Sequence, residues 1–201
     1  PRGVVSALGD PYTTYMTKQE WTEFYITTSG EYSGVGVTIG VKDGKVTIVA
    51  PMKGTPADRA GIKANDVILS VDGKDISTSD EAASLIRGPA GTEVSVTIYR
   101  DGEILEFLLV RENIVIPAVN YEMKDETIGY IELITFSENA AVETSDALKD
   151  LKAQGAQAIV LDLRYNGGGL LDKCIDIANL FVPKGTVVTI SGRKFEKTSF
   201  N

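Results

Sequence analysis

The apolar residues of this chain change their spacing three times, and each change predicts a different kind of element. Gly3–Leu8 is a short apolar segment, and Asp10-Pro11-Tyr12-Thr13-Thr14 follows as a turn because proline fixes its own φ and restrains the residue before it. Thr17 and Glu20 then have capping-box spacing, and Trp21, Phe24 and Tyr25 fall at i, i+3 and i+4. The pattern predicts a helix whose aromatic stripe faces a core and which stops at Gly30. From Tyr32 to Arg111 the helical period gives way to short β-runs separated by Asp43-Gly44, Asp72-Gly73 and Asp101-Gly102, each a favoured two-residue hairpin turn. Two helical inserts interrupt these runs. Thr55 with Pro56 opens a short one that ends at Gly61. Thr78 with Glu81 opens another over Ser79–Arg87, with Ala82, Leu85 and Ile86 on its apolar face and Gly88 as its stop.

Beyond Arg111 the spacing changes again. Glu112–Val119, which includes Pro117, is expected as a linker or an extended crossing segment. Thr127–Ile134 predicts a strand. Ser137 is placed to cap a helix with Ala141, Leu148 and Leu151 toward the core, running to Gly155. Ala158–Leu161 is a β-branched apolar run, the pattern of a strand covered on both faces. Strand, helix and strand make a right-handed βαβ unit with parallel strands. Leu171, Cys174, Ile175, Ala178 and Phe181 return to helical spacing, with Cys174 a small hydrophobe in that stripe.

Composition narrows the function classes. The 201 residues are 43% hydrophobic, enough for a sizeable core in one or two domains. A formal net charge of -8, with no long Lys/Arg run, argues against nucleic acid or an anionic membrane as the main partner. One cysteine precludes an intrachain disulfide. Zero histidines exclude a histidine-based triad, HExxH zinc chemistry and a histidine general base within these residues. Neither an apolar run of membrane-spanning length nor a signal-peptide pattern is visible, and the ends give the sequence the look of an excised piece. No cofactor and no metal is expected.

The chemistry concentrates at AIVLDLRYNGGGLLD, residues 158–172, where a strand runs into three glycines and then a helix. Asp162 and Arg164 share one strand face. Gly167, Gly168 and Gly169 allow positive φ or close backbone approach, and free N–H groups at the following helix start favour negative charge. Neither dinucleotide nor P-loop spacing is met, so phosphate binding is disfavoured. Two readings stay open on the residues alone: a turn that merely needs glycine, and an oxyanion-binding turn.

Gly34-Val35-Gly36-Val37, followed by GTPADRAGIKANDVILSVDGKDI at 54–76, resembles a PDZ domain. The resemblance implies that the backbone N–H groups of Val35, Gly36 and Val37 form a nest for a peptide's terminal carboxylate, with Gly34 at its start. It implies that the peptide adds a strand there, and that Leu85, Ile86 and Arg87 meet its side chains. Ordinary core packing is the competing role for Val35, Val37 and Leu85.

GDPYTTY at 9–15, the PDZ-like region, RGPAGT at 87–92, IGYIEL at 128–133, LDLRYNGGGLLD at 161–172 and NLFVPKG at 179–185 resemble, in order, the carboxyl-terminal processing (tail-specific) serine proteases. The implied fold is α+β: a PDZ-type β-rich domain with two helices over 32–111, joined to a partial α/β protease core at 112–201 that contains the parallel βαβ unit. Residues 1–31 form a helical segment of that core. The implied activity is that of a serine endopeptidase with a Ser-Lys pair, a lysine kept neutral by desolvation taking the serine proton. Its partners are protein or peptide C-termini, with no nucleic acid, and its setting is extracytoplasmic. One oxyanion donor comes from the positions matching Asn166 to Gly169, with Gly168 and Gly169 as candidates, and Gly167 stands where the family usually has proline. The family's serine and lysine motifs do not occur in these residues and are expected beyond Asn201. Ser191 and Ser199 are then strand or surface serines, and Lys173 and Lys184 solvated lysines. The competing class is a PDZ peptide-binding module or adaptor without catalysis.

Overall fold

The computed structural model describes residues 1–182, 184–192 and 195–200, apart from the side chains of 195 and 196. They form two units: Glu31–Ile116, and Pro1–Gly30 together with the chain from Pro117 onward. The N-terminal segment has a short helix α1 (Arg2–Ser6) and α2 (Lys18–Ser29). The capping box forms as expected: Thr17 Oγ1 accepts the Glu20 N–H at 3.2 Å, and the Glu20 carboxylate accepts the Thr17 N–H at 2.8 Å. Gly30 ends the helix in the left-handed conformation. The aromatic stripe does not enter the core. Trp21, Phe24 and Tyr25 are 55%, 45% and 60% exposed, because helical spacing defines an apolar face without supplying its cover.

The unit Glu31–Ile116 runs β1 (Glu31–Gly34), β2 (Val37–Lys42), β3 (Lys45–Pro51), α3 (Pro56–Arg59), β4 (Val67–Val71), β5 (Lys74–Asp75), α4 (Ser79–Ile86), β6 (Glu93–Arg100), β7 (Glu103–Val110) and β8 (Glu112–Val115). Its main sheet is antiparallel in the order β2-β3-β4-β6-β7, with β5 on β4, and β1 pairs separately with β8. The period-2 pattern of β6 does the packing: Val94, Val96 and Ile98 are buried on one face, with Val71, Ile48 and Ala82 beside them in the same core. Each such valine or isoleucine stabilises the fold by about 1.5–3 kcal/mol. All three Asp-Gly turns have both residues at positive φ, the geometry of type I′ hairpins. Glu112–Val115 is a paired strand rather than a free linker, because Ile114 is buried and the segment lies opposite Glu31–Gly34. Thr55 makes no cap bond on α3.

The other unit continues with β9 (Val119–Met123), β10 (Ile128–Leu133), α5 (Ala140–Ala153), β11 (Ala158–Asp162), α6 (Leu171–Phe181), β12 (Val188–Gly192) and β13 (Phe195–Phe200). β10 and β11 are parallel, from Ile128 opposite Ala158 to Glu132 opposite Asp162, as the βαβ pattern predicts. α5 buries Ala140, Thr144, Ala147 and Leu151, one helical stripe. Its N-cap position is Asn139 rather than Ser137, and the buried Ser137 hydroxyl donates instead to Asn139 Oδ1 at 2.6 Å. β11 is an edge strand whose Val160 is 49% exposed, so the run 158–161 is covered on one face only among the described residues. In α6 the buried residue is Ile177, while Leu171 and Phe181 lie on the exposed side.

Candidate functional site

The glycine turn is built by the residues that lead into it. Asp162, at the end of β11, accepts from the Arg164 N–H at 2.8 Å, from Nε at 3.0 and 2.9 Å, from Nη2 at 2.6 Å, and from the Tyr130 hydroxyl at 2.6 Å. The Arg164 guanidinium first, and the Tyr130 hydroxyl second, hold the Asp162 carboxyl far below the usual carboxylate range. Arg164 lies in the turn past the end of β11 rather than on a strand face shared with Asp162, and the bonds between the two fix where the chain leaves the strand. Tyr165, fully exposed, takes a positive φ of 65° and redirects it.

Asn166 then joins two segments. Its Nδ2 donates to the Leu133 carbonyl at the end of β10, 2.8 Å away, and its Oδ1 accepts the Gly168 N–H at 2.8 Å. Phe136 lies alongside the turn as one parallel bridge to Gly169: Phe136 N–H donates to Gly168 O at 3.0 Å, and Leu170 N–H donates to Phe136 O at 2.8 Å. Residues 168 and 170 therefore spend their bonds on Phe136, and the N–H of Gly169 faces the opposite way. No hydrogen bond to the N–H of Gly167 or Gly169 forms among the described residues. Gly169 has φ 143°, and a Cβ there would stand 2.5 Å from the Phe136 carbonyl oxygen. Only glycine allows this approach. Of the two candidates, Gly168 has its N–H occupied by Asn166 Oδ1, and Gly169 has its N–H unbonded among the described residues.

Lys173, expected as solvated, is 20% exposed and bridges Glu138 at 3.1 Å and Asp172 at 3.3 Å. The Glu138 carboxylate raises its pKa, and a lysine so held keeps its charge. Lys184 is exposed, as are Ser191 on β12 and Ser199 on β13, where Ser199 Oγ lies 3.1 Å from Thr189 Oγ1. Cys174 is half-buried and unpaired in α6.

The second candidate site lies in the other unit, along β2. This strand is the end strand of its sheet, so one of its edges is open, and α4 packs near it. Gly34 closes β1, Val35 and Gly36 form the connecting loop, and Val37 opens β2. Val35 is 1% exposed and its side chain belongs to the core, so only its backbone is available. Gly36, at φ 78°, turns its carbonyl inward to accept from the Met52 N–H at 2.8 Å and from Thr55 Oγ1 at 3.1 Å. Because the position-36 carbonyl points to Met52, just past the end of β3, the Val37 N–H of the same peptide unit points the other way, to the open edge. Thr55 caps nothing but holds the loop through its hydroxyl, and a Cβ on Gly36 would lie 2.3 Å from it.

On the helix wall Ile86 is 3% exposed and points into the core, while Leu85 and Arg87 are half-buried. Arg87 sits 5.6 Å from the centroid of the Tyr32 ring. The end of α4 is held from below by Arg111, only 8% exposed, whose Nε donates to Ile86 O at 2.8 Å, Nη2 to Leu85 O at 2.9 Å and Nη1 to Glu93 O at 2.7 Å. Sequence reasoning named Thr55 only as the start of a short helix and Asn166 only as the first position of the matching turn, and it gave Arg111 and Tyr32 no role. Only Asn166 carries a local signal, an Asx residue ahead of glycines that favours a side-chain-to-backbone turn.

Comparisons with known proteins agree with this division. Residues 127–201 match the model of Peptidase family S41, and residues 47–100 that of the PDZ domain, a peptide-binding fold. The carboxy-terminal processing protease CtpA of Bacillus subtilis is 41% identical over 187 residues, covering 92% of this chain and 40% of that protein. The carboxyl-terminal-processing protease of Synechocystis is 39% identical over 207 residues, covering 98% of this chain and 48% of that protein. The solved structure of the photosystem II D1 C-terminal processing protease matches with a TM-score of 0.51 and 27% identity, over 99% of this chain and 57% of that one. The chain thus spans less than half the length of the two curated relatives, 40% and 48%.

Proposed function

Since the chain belongs to the carboxyl-terminal processing (tail-specific) serine protease family, as its PDZ domain and the front part of its protease core, we propose that the parent protein is a serine endopeptidase that selects substrates by their free C-termini. The single observation that carries this reading is the open edge of β2, with the Val37 N–H turned outward beside α4. A peptide laid along that edge gains main-chain bonds as an added strand, and its terminal carboxylate meets the N–H groups of the Val35–Val37 loop. Leu85 and Arg87 form the wall that its side chains meet.

In the other unit, the N–H of Gly169 is the oxyanion donor of the reaction. It is fixed by the Phe136 bridge, so no reorganisation accompanies charge development on the carbonyl oxygen. The serine that attacks and the lysine that takes its proton are expected beyond Asn201 in the parent, and an extracytoplasmic setting follows from the family resemblance alone.

Titrating the chain with an unstructured peptide and with its C-terminal amide tests the groove. Micromolar affinity, about -8 kcal/mol, is the expected order for the free acid, with weaker binding of the amide. Equal affinities would remove the carboxylate from the recognition.

A further inference from the structure

We propose that the ion pair between Lys173 and Glu138 is a latch that holds the Phe136 segment on the glycine turn, which makes both side chains positioning residues for the Gly169 N–H. For its effect on turnover the inference rests on the endopeptidase reading above. Its effect on the turn itself does not depend on that reading.

The segment that follows β10 is tied to the turn in three places. Thr135 Oγ1 donates to Gly168 O at 3.3 Å. Phe136 makes the parallel bridge, giving its N–H to Gly168 O and taking the Leu170 N–H on its carbonyl. The third tie is the ion pair, in which Lys173 Nζ of α6 reaches Glu138 Oε2 at 3.1 Å. Positions 135, 136 and 138 on one side thus meet 168, 170 and 173 on the other. From its other side the same segment is held by α2, where the Glu138 N–H donates to Thr28 O at 3.0 Å. The ion pair is the side-chain tie that draws it toward the body of α6.

Lys173 does not serve the helix that carries it. It is the third residue of α6, where the positive end of the helix dipole disfavours a cation and favours an acid such as Asp172. Its side chain is nevertheless only 20% exposed, drawn in against Glu138 and lying 3.3 Å and 4.0 Å from the carboxylates of Asp172 and Asp176. Those two belong to α6 itself, so Glu138 is the partner that joins the helix to another segment. A pair with one half-exposed member adds little to global stability. Its consequence is local. Movement of Phe136 shifts the two bonds that orient the peptide units on either side of Gly169, and a donor displaced by a fraction of an ångström loses much of its value to a developing oxyanion.

The test has two arms. In the 201-residue chain, amide hydrogen exchange is followed by NMR at Phe136 and Leu170, the two N–H groups of the bridge. Lys173→Met and Glu138→Gln should each speed both about threefold and leave β10 amides such as Ile131 unchanged. Lys149→Met, which breaks an exposed pair with Asp146 on α5, should move none of them. In the parent enzyme the two latch variants should each lower kcat about fivefold on one peptide substrate, with KM within about twofold and the unfolding midpoint within about 2 °C of the parent. Glu138→Lys combined with Lys173→Glu should recover most of the loss, because the pair re-forms with its charges exchanged. Unchanged exchange at Phe136 and Leu170 would overturn the latch. So would a fall in kcat for Lys173→Met with none for Glu138→Gln, which would make the lysine a neutraliser of nearby carboxylates instead. Failure of the endopeptidase reading looks different: the parent would cleave no peptide while exchange at Phe136 and Leu170 still responded to both variants.

Discussion

The Oδ1 of Asn166 accepts the Gly168 N–H at 2.8 Å, which engages the middle glycine of the turn within the chain and leaves the N–H of Gly169 without a hydrogen bond among the described residues. The same side chain ties the turn to β10 through the Leu133 carbonyl at 2.8 Å. One amide thereby joins the ends of two adjacent parallel strands at the edge where α/β sheets place their chemistry.

Replacing Asn166 by Ala in the parent enzyme should release both bonds. Each is worth about 1 kcal/mol of stability, so the unfolding free energy should fall by about 2 kcal/mol. If the turn serves the transition state, kcat should fall by about tenfold or more on a peptide substrate while KM stays within about twofold. A variant with lower stability and normal kcat would show that Asn166 supports the fold alone.

Gly167→Pro separates the two exposed N–H groups. Position 167 has no positive φ and no atom within 4 Å of an added Cβ, and its N–H makes no hydrogen bond that proline would remove. Proline removes the Gly167 N–H and leaves that of Gly169, and turnover should stay within about threefold of the parent. A hundredfold loss of kcat in a folded Gly167→Pro variant would move the donor to Gly167. Gly169→Ala cannot serve this purpose, since its Cβ would meet the Phe136 carbonyl oxygen at 2.5 Å and disturb the turn itself.

Arg111→Lys tests what holds the groove wall. Arg111 supplies Nε, Nη1 and Nη2 to the carbonyls of Ile86, Glu93 and Leu85, and a lysine ammonium cannot reach all three in that planar arrangement. Urea unfolding should show a loss of about 2–3 kcal/mol, and peptide affinity of the folded fraction should drop because Leu85 and Arg87 lose their support. An unchanged midpoint would mean that water replaces the guanidinium without cost.

Acid should loosen two places by the same sign of linkage. The Thr17 N–H, the strongest influence on Glu20, and the Arg2 guanidinium lower its pKa from 4.5 to about 2. Asp162 is lowered as well, chiefly by Arg164. A group whose folded pKa lies below its unfolded one stabilises the fold in full above the unfolded value, and that contribution is lost as pH falls through the folded one. For Glu20 the window is therefore 4.5 down to about 2. Helical circular dichroism followed across it should change less in Glu20→Gln than in the parent chain. Identical acid profiles would show that the capping-box carboxylate carries no linkage.

Local sequence determined the elements. Thr17 with Glu20, the three Asp-Gly pairs, Thr78 with Glu81 and the alternation Val94-Val96-Ile98 each encode their structure within a few residues, and each formed as read. The parallel pairing of β10 with β11 followed as well, because a strand, a helix and a strand in succession leave few ways to pack. Burial was decided elsewhere. The stripe of Trp21, Phe24 and Tyr25 and the run at 158–161 are apolar by composition, but what covers an apolar face comes from distant residues that periodicity does not name. The sites divide in the same way. Glycines at 167–169 and at 34 and 36 marked where backbone N–H groups could serve. Which N–H is free depended on Asn166 Oδ1, on Phe136 bridging from 33 residues earlier than Gly169, and on the Met52 N–H that turns the Gly36 carbonyl inward. Those are relations between side chain and backbone across the fold, and only the folded chain brings their atoms within hydrogen-bonding distance.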